Sequence, residues 1–137
     1  MLLNFQRQFA ADVVAGVKRQ TIRSAGKRVH VPRVGEQAHC YTGLRTRATK
    51  RLGMWPVKAV EVLRMDVTES GLANVVLGAN PMTTLGLEQL AVEDGFKSAA
   101  DMGAWFAKTH GCGEFYGWSI TWEWSAAGVD QAHGLQP

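Results

Sequence analysis

The chain has 137 residues, 46% hydrophobic and 20% charged, a composition typical of one folded globular domain with a sizeable core. No apolar run approaches the roughly 20 residues that span a bilayer, and the N-terminus shows no signal-peptide pattern. We therefore expect a cytoplasmic protein with no membrane partner. The two cysteines, Cys40 and Cys112, favour free thiols over a disulfide framework.

The positive charge is concentrated in the first half of the chain. The formal net charge is only +3, yet ten of the fifteen Lys and Arg residues lie between Lys18 and Arg51, where Glu36 is the only acid. We refer to residues 18–51 as the basic segment. It suits an anionic partner such as RNA, or it serves only to keep the surface solvated; both interpretations remain open at this point.

The first predicted element is a helix, because Phe5, Phe9 and Val13 recur at helical spacing and Gly16 follows as a stop. Residues 18–24 read as a short strand that ends in a turn at 25–26. A second strand covers Gln37–Thr42, and a loop follows it over residues 42–55.

The middle of the chain predicts two strands followed by two helices. Residues 55–67 alternate apolar and polar side chains and predict a partly buried strand, and residues 72–78 predict a shorter one. A helix is expected from Leu87, with Thr83 or Thr84 as its N-cap. Ser98 is the expected N-cap of the next helix, which ends at Gly111.

The last predicted element is a strand over residues 114–124, where Trp118, Ile120, Trp122 and Trp124 occupy alternate positions. The domain is therefore expected to cover residues 1–125, with a loosely ordered tail over 126–137. Short strands predominate and helices are inserted near each end of the chain. This order favours an α+β fold built on a small mixed barrel.

Four stretches of the chain resemble the ASCH domain family, whose members are small barrels of the PUA-like group. They are residues 15–23, 34–46, 90–106 and 115–124, in the family's order. The first is the most specific. The family pattern is a Gly, a Lys two residues later, and a Thr or Glu followed by Ile-Arg. The residues of this chain that match it are Gly16, Lys18, Thr21, Ile22 and Arg23. The resemblance implies a PUA-like mixed β-barrel with flanking helices, and a cleft beside it that binds RNA or nucleotides.

Some small family members are similar to this chain in further respects, and they are amidohydrolases that remove acyl groups from the N4 nitrogen of cytidine. The resemblance then implies catalytic roles for Lys18, Thr21 and a carboxylate that falls on Asp94. Glu93, its neighbour, becomes a substrate-binding candidate. Those hydrolases carry Glu where this chain has Asp94, so its carboxylate reaches one methylene less far. No cofactor is expected.

The chemistry of amide cleavage fits these residue types. A threonine hydroxyl attacks a carbonyl only after a base removes its proton, and a lysine can be that base when its amine is neutral. Residues 18 and 21 of one strand would point to opposite faces of the sheet. For both side chains to reach one substrate, Lys18 must lie in the turn before the strand begins, which Gly16 allows. Thr21 and Arg23 share a face, where Arg23 can bind an anion or a developing oxyanion.

Other residues are weaker candidates. Tyr41 can stack on a base and Arg45 can contact a phosphate, so both are included as substrate-binding residues. Trp55 and Trp118 can stack in the same way or fill the core. The spacings H-C and H-x-C do not suit a tetrahedral zinc, so no metal site is expected at His39, Cys40, His110 and Cys112.

The leading hypothesis is an amidohydrolase that acts on N4-acylated cytidine or a related nucleoside. It uses a threonine nucleophile, a lysine base and a carboxylate partner. The alternative is a non-catalytic module that binds RNA or modified nucleotides, and a metal-dependent ribonuclease is a weaker third. The expected partners are a small nucleoside and, through the basic segment, RNA. We expect a monomer or a weak dimer.

Overall fold

The computed structural model of the protein describes residues 1–26 and 30–130. Within these residues the chain forms seven strands, three α-helices and a final turn of 3-10 helix. In chain order they are β1 (Leu2–Phe5), α1 (Arg7–Ala15), β2 (Gln20–Ser24), β3 (Gln37–Thr42), β4 (Lys50–Thr68), β5 (Gly71–Leu77), β6 (Asn80–Pro81), α2 (Thr84–Glu93), α3 (Ala99–His110), β7 (Gly113–Trp122) and the 3-10 helix Ala126–Gly128.

The 19-residue strand β4 organises the sheet. Its first part pairs with β3, its later part pairs with β5 on one side and β7 on the other, and all these ladders are antiparallel. At the two ends, β1 is parallel to β3 and β2 is antiparallel to β7. The fold is therefore α+β with a mixed sheet, as the sequence predicted.

The sheet is not fully closed. No backbone ladder joins β1 to β2 in the described part of the chain. The two strands nevertheless face each other, because Arg23 Nη2 on β2 donates to the Asn4 carbonyl on β1 at 2.7 Å. We refer to this gap as the β1/β2 seam.

The helix ends confirm the capping signals. Gly16 ends α1 in the left-handed conformation, at φ 75°, and Ser98 caps α3, which Gly111 ends. Thr83 caps α2, so this helix begins at Thr84, one turn earlier than the apolar spacing indicated. No helix among the described residues is both long and apolar enough to cross a bilayer.

In the described part of the chain, two clusters of buried side chains form the core. One packs α1 against β1, β3 and the first part of β4, and it holds Trp55 and Trp122, both fully buried. The other packs α2 and α3 against β5 and the later part of β4. Phe96, in the loop between α2 and α3, packs against both clusters. Trp55 is therefore a core residue, and its ring is not available to a ligand.

Two segments differ from the sequence-based expectations. Phe5 belongs to β1, because the chain is extended at Gln6 and α1 begins only at Arg7; the helical spacing of Phe5 and Phe9 was misleading. β4 begins at Lys50, inside the predicted loop, since its first residues complete the ladder with β3.

The chain also stays packed beyond the expected domain end at residue 125. The indole Nε1 of Trp55 donates to the Ser125 carbonyl at 2.8 Å, and Val129 forms a β-bridge with Gly53. Residues 126–130 of the expected tail pack against β4 in this way. The remainder of that tail, residues 131–137, lies outside the described residues.

Candidate functional site

Lys18 lies in the loop between α1 and β2, which is where the strand parity requires it. The αL turn at Gly16 folds this loop back on the helix, and the amides of Val17 and Lys18 both donate to the Asp12 carbonyl, at 2.9 and 3.0 Å. The Lys18 side chain is only 3% exposed. Its ammonium nitrogen lies 5.0 Å from the centre of the Phe9 ring.

The partner of Lys18 is Asp94, the residue that ends α2. Lys18 Nζ donates to the Asp94 main-chain carbonyl and lies 3.4 Å from its carboxylate Oδ1. The Gln20 amide also approaches Oδ1, at 3.5 Å. Because α2 stops at this residue, the Asp94 carbonyl is free of the helix and can accept a bond from a side chain.

Burial shifts both members of this pair towards their uncharged forms. Desolvation lowers the pKa of Lys18, which the attraction of Asp94 opposes and the nearby charge of Arg23 reinforces. Desolvation raises the pKa of Asp94, against the pull of Lys18. The neutral amine of Lys18 is therefore available at a lower pH than that of an exposed lysine, as a general base requires.

Thr21 and Arg23 lie two residues apart on β2 and share one face of the strand. Arg23 Nε donates to the Thr21 hydroxyl oxygen at 3.0 Å, and its Nη2 reaches Asn4 across the β1/β2 seam. The guanidinium also lies 4.9 Å from the centre of the Phe5 ring. The position of Thr21 Oγ1 is thus fixed by a cation that is itself anchored to β1.

These four side chains line one cavity of about 330 Å³, the first cavity, a size within the range of small-molecule sites. Lys18, Thr21, Arg23 and Asp94 supply its polar part. An aromatic part comes from α1, α3 and the loop before α3, with the side chains of Phe9, Phe96, Trp105 and His110. The arrangement provides a hydroxyl, a buried amine and a guanidinium around a space that an aromatic base can enter.

The other substrate-binding candidates do not line the first cavity. Glu93 is exposed on the last turn of α2, next to the buried Asp94. Tyr41 is half-buried on β3, and Arg45 is exposed in the turn that follows, at φ 68°. Among the described residues, the first cavity thus has one acidic lining residue, Asp94.

The metal-capable residues are dispersed. Cys40 is buried in β3, where desolvation raises the pKa of its thiol to about 12, so the thiol stays protonated at neutral pH. Cys112 is exposed. His110 ends α3 and stacks on Phe106. Among the described residues, no three His, Cys, Asp or Glu side chains come together as a metal would require.

Three contributors to the site were not found from the sequence. Gln20 contacts Asp94, and no pattern marks it apart from its neighbours in the basic segment. Phe96 and Trp105 form part of the aromatic wall, and their only signal was their apolar character, which is equally typical of a core.

No family model matches the chain, and none of the curated proteins is similar enough to match it. Among solved structures, a similar fold occurs in the crystal structure of ASCH from Zymomonas mobilis. It is 12% identical with a TM-score of 0.46, over 91% of this chain and 66% of that one.

Proposed function

We propose that the protein is an ASCH-type amidohydrolase that removes the acyl group from N4-acylated cytidine or a related nucleoside, without a cofactor. One observation carries the proposal: the buried Lys18–Asp94 pair and the hydrogen-bonded Thr21–Arg23 pair line the same cavity. Lys18, Thr21 and Arg23 match the pattern that residues 15–23 share with the ASCH family, and Asp94 is a carboxylate at the position where the resemblance to the family's amidohydrolases implies a glutamate.

The proposed reaction is an acyl transfer to Thr21. The neutral amine of Lys18 accepts the hydroxyl proton as Oγ1 attacks the acyl carbonyl, and Arg23 stabilises the negative oxygen of the tetrahedral intermediate. When the C–N bond breaks, the Lys18 ammonium returns the proton to the leaving N4 amine. A water molecule, deprotonated by Lys18, then attacks the carbonyl of the Thr21 ester. The Lys18 ammonium returns that proton to Thr21 Oγ1 as the bond from Oγ1 to the acyl carbon breaks, which releases the acid and restores the free enzyme.

The role of Asp94 in this reaction is to hold Lys18 and to stabilise its ammonium form. The amine becomes charged inside a desolvated pocket at the moment it accepts the proton, and a buried cation is costly unless a negative group faces it. The carboxylate at 3.4 Å is such a group.

One observation favours the alternative, a module that binds a modified nucleotide without cleaving it. The hydrogen bond and the ion pair described for Lys18 Nζ both go to Asp94, and the hydrogen bond described for Thr21 Oγ1 comes from Arg23. The proposed base and the proposed nucleophile are thus each bonded to another residue. In such a module the same polar groups would read the edge of the base, and the first cavity would release its ligand unchanged.

The test measures by chromatography how fast the protein releases cytidine from N4-acetylcytidine. Because Lys18→Met removes the base but keeps the apolar stem, we expect it to lower kcat/KM by about 10²–10⁴-fold. The control is Lys97→Met, which removes an exposed amine and should leave the rate unchanged. In the wild type, kcat/KM should rise with pH along a limb whose apparent pKa lies below the ordinary lysine value of 10.5.

A Lys18→Met protein with a near-normal rate would refute the catalytic role of Lys18. Wild-type protein that binds N4-acetylcytidine but releases no cytidine would show the binding module instead.

A further inference from the structure

A second cavity, of about 290 Å³, lies on the same β1/β2 seam. It shares two lining residues with the first cavity, Arg23 and Ser24. Leu3 and Ile120 provide its buried apolar lining, and Trp118, half-buried on β7, adds an indole ring. The proposed hydrolysis of a nucleoside makes no use of this space.

The pairing of β2 with β7 places the two cavities along one continuous surface. Arg23 is directly opposite Trp118 in the ladder, and Thr21 is directly opposite Ile120. Directly opposite residues project from the same face of a sheet, with Cβ atoms about 5 Å apart. The guanidinium that fixes the Thr21 hydroxyl therefore comes from a residue beside Trp118, at the boundary of the two cavities.

The chemistry of the second cavity suits a nucleotide. An arginine binds phosphate oxygens through its planar set of N–H donors, and an indole stacks on any base because every base has a π-face. None of the described residues that line this cavity is an acid, so no lining carboxylate repels a phosphate. Arg23, Ser24 and His30 of the basic segment line the cavity, and this segment carries ten of the fifteen Lys and Arg residues of the chain.

We propose that the second cavity is a subsite for the nucleotide next to the acylated cytidine. Arg23 binds the phosphate that joins the two nucleotides, and Trp118 stacks on the neighbouring base. This inference rests on the proposed function and extends it: the preferred substrate is acylated cytidine within an RNA strand, and the free nucleoside fills only the first cavity.

The experiment measures binding to the Thr21→Val protein, which lacks the proposed nucleophile and so leaves its ligands intact. The ligands are N4-acetylcytidine, its 5′- and 3′-monophosphates, and the two dinucleotides that carry adenosine on the 5′ or the 3′ side. On one of the two sides, we expect the phosphate to increase affinity and the added adenosine to increase it by about a further tenfold.

The Trp118→Leu substitution in the same protein should abolish the gain from the adenosine and keep the gain from the phosphate. The matched control is Tyr116→Leu. It removes another aromatic residue of β7 that packs against an arginine, Arg64, but lines neither cavity, so the gain should persist. Circular dichroism checks folding, and if Trp118→Leu does not fold, the ligand series alone decides.

Equal affinities for the dinucleotides and the monophosphates would overturn the subsite, as would a failure of every ligand to bind. Wild-type hydrolysis is measured in parallel and separates the two proposals. Hydrolysis without a gain from adenosine overturns the subsite alone, whereas a gain from adenosine without hydrolysis overturns the amidohydrolase and supports the subsite.

Discussion

At the scale of single residues, Asp94 holds Lys18 through two different atoms. Its carbonyl accepts a hydrogen bond from Nζ because α2 ends there, and its carboxylate lies 3.4 Å from the same nitrogen. A residue that uses its own backbone in this way needs only a short side chain to bring its carboxylate to the amine. This geometry lets an aspartate, which is one methylene shorter than a glutamate, bring its carboxylate to the Lys18 amine.

The two neighbouring acids should therefore differ sharply when neutralised. Asp94→Asn keeps the shape of the side chain but removes the charge that faces the Lys18 ammonium, so we expect kcat/KM for N4-acetylcytidine to fall about tenfold or more. Glu93→Gln changes an exposed side chain and should leave kcat/KM within about twofold. Steady-state kinetics of the two variants checks the order, and the reverse order would identify Glu93 as the functional carboxylate.

At the scale of secondary structure, the end of α1 determines where Lys18 lies. Gly16 has φ 75°, and a Cβ atom there would come within 2.6 Å of the Trp124 ring. That ring is fixed in turn, because its Nε1 donates to the Val14 carbonyl at 3.2 Å. The helix end, the tryptophan and the start of the Lys18 loop are therefore packed as one unit.

Gly16→Ala should destabilise the fold more than an equivalent substitution elsewhere. The new methyl group adds left-handed backbone strain of about 1–2 kcal/mol and collides with Trp124. Gly35→Ala is the matched control, since Gly35 also has a positive φ, 92°, but nothing lies within 4 Å of the position that a Cβ atom would take there. Urea unfolding should show a larger loss of unfolding free energy for Gly16→Ala, and equal losses would mean that the Trp124 contact has no energetic weight.

The elements that the sequence predicted well are those with local signals. Thr83, Ser98 and Gly16 act on backbone groups within four residues of themselves, so their roles can be seen in a short stretch of sequence. β1 could not be found in this way, because its partner β3 is some 37 positions away and the pairing is parallel. Only the assembled sheet shows that Phe5 is in a strand.

The same distinction holds for the site. Lys18, Thr21 and Arg23 are close in sequence. The parity of β2 sufficed to place Thr21 and Arg23 on one face, and the turn signal at Gly16 indicated how Lys18 could join them. Asp94 was found by resemblance alone, and Gln20, Phe96 and Trp105 were not found. Phe96 and Trp105 reach the first cavity only because α2 and α3 pack against the later part of the sheet, and no local pattern encodes that packing.

At the scale of the whole molecule, the turn after β3 displays part of the basic segment close to the β1/β2 seam. Its backbone is held by the hydroxyls of Thr46 and Thr49, which both donate to the Gly43 carbonyl, at 2.6 and 2.8 Å. The Leu44 amide donates to the Asn4 side chain at 2.9 Å, and Asn4 lines the first cavity. A strand of RNA bound along the seam would therefore have cations within reach beyond the two cavities.

This arrangement predicts that three exposed basic side chains, Arg45 and Arg47 in the turn and Lys50 at the start of β4, contribute to RNA affinity through phosphate contacts. We expect the triple substitution of Arg45, Arg47 and Lys50 by glutamine to weaken binding of a single-stranded oligonucleotide. The slope of log K against log salt should become shallower by about 2, since each lost contact with single-stranded nucleic acid accounts for about 0.7 of slope.

The control triple, Lys58, Lys97 and Lys108, removes the same charge from exposed positions outside the basic segment. Fluorescence anisotropy over a salt series measures both slopes. Equal changes in the two slopes would show that only the net charge of the protein affects binding. An absence of binding at low salt would show that the basic segment is a solvated surface without a role in RNA binding.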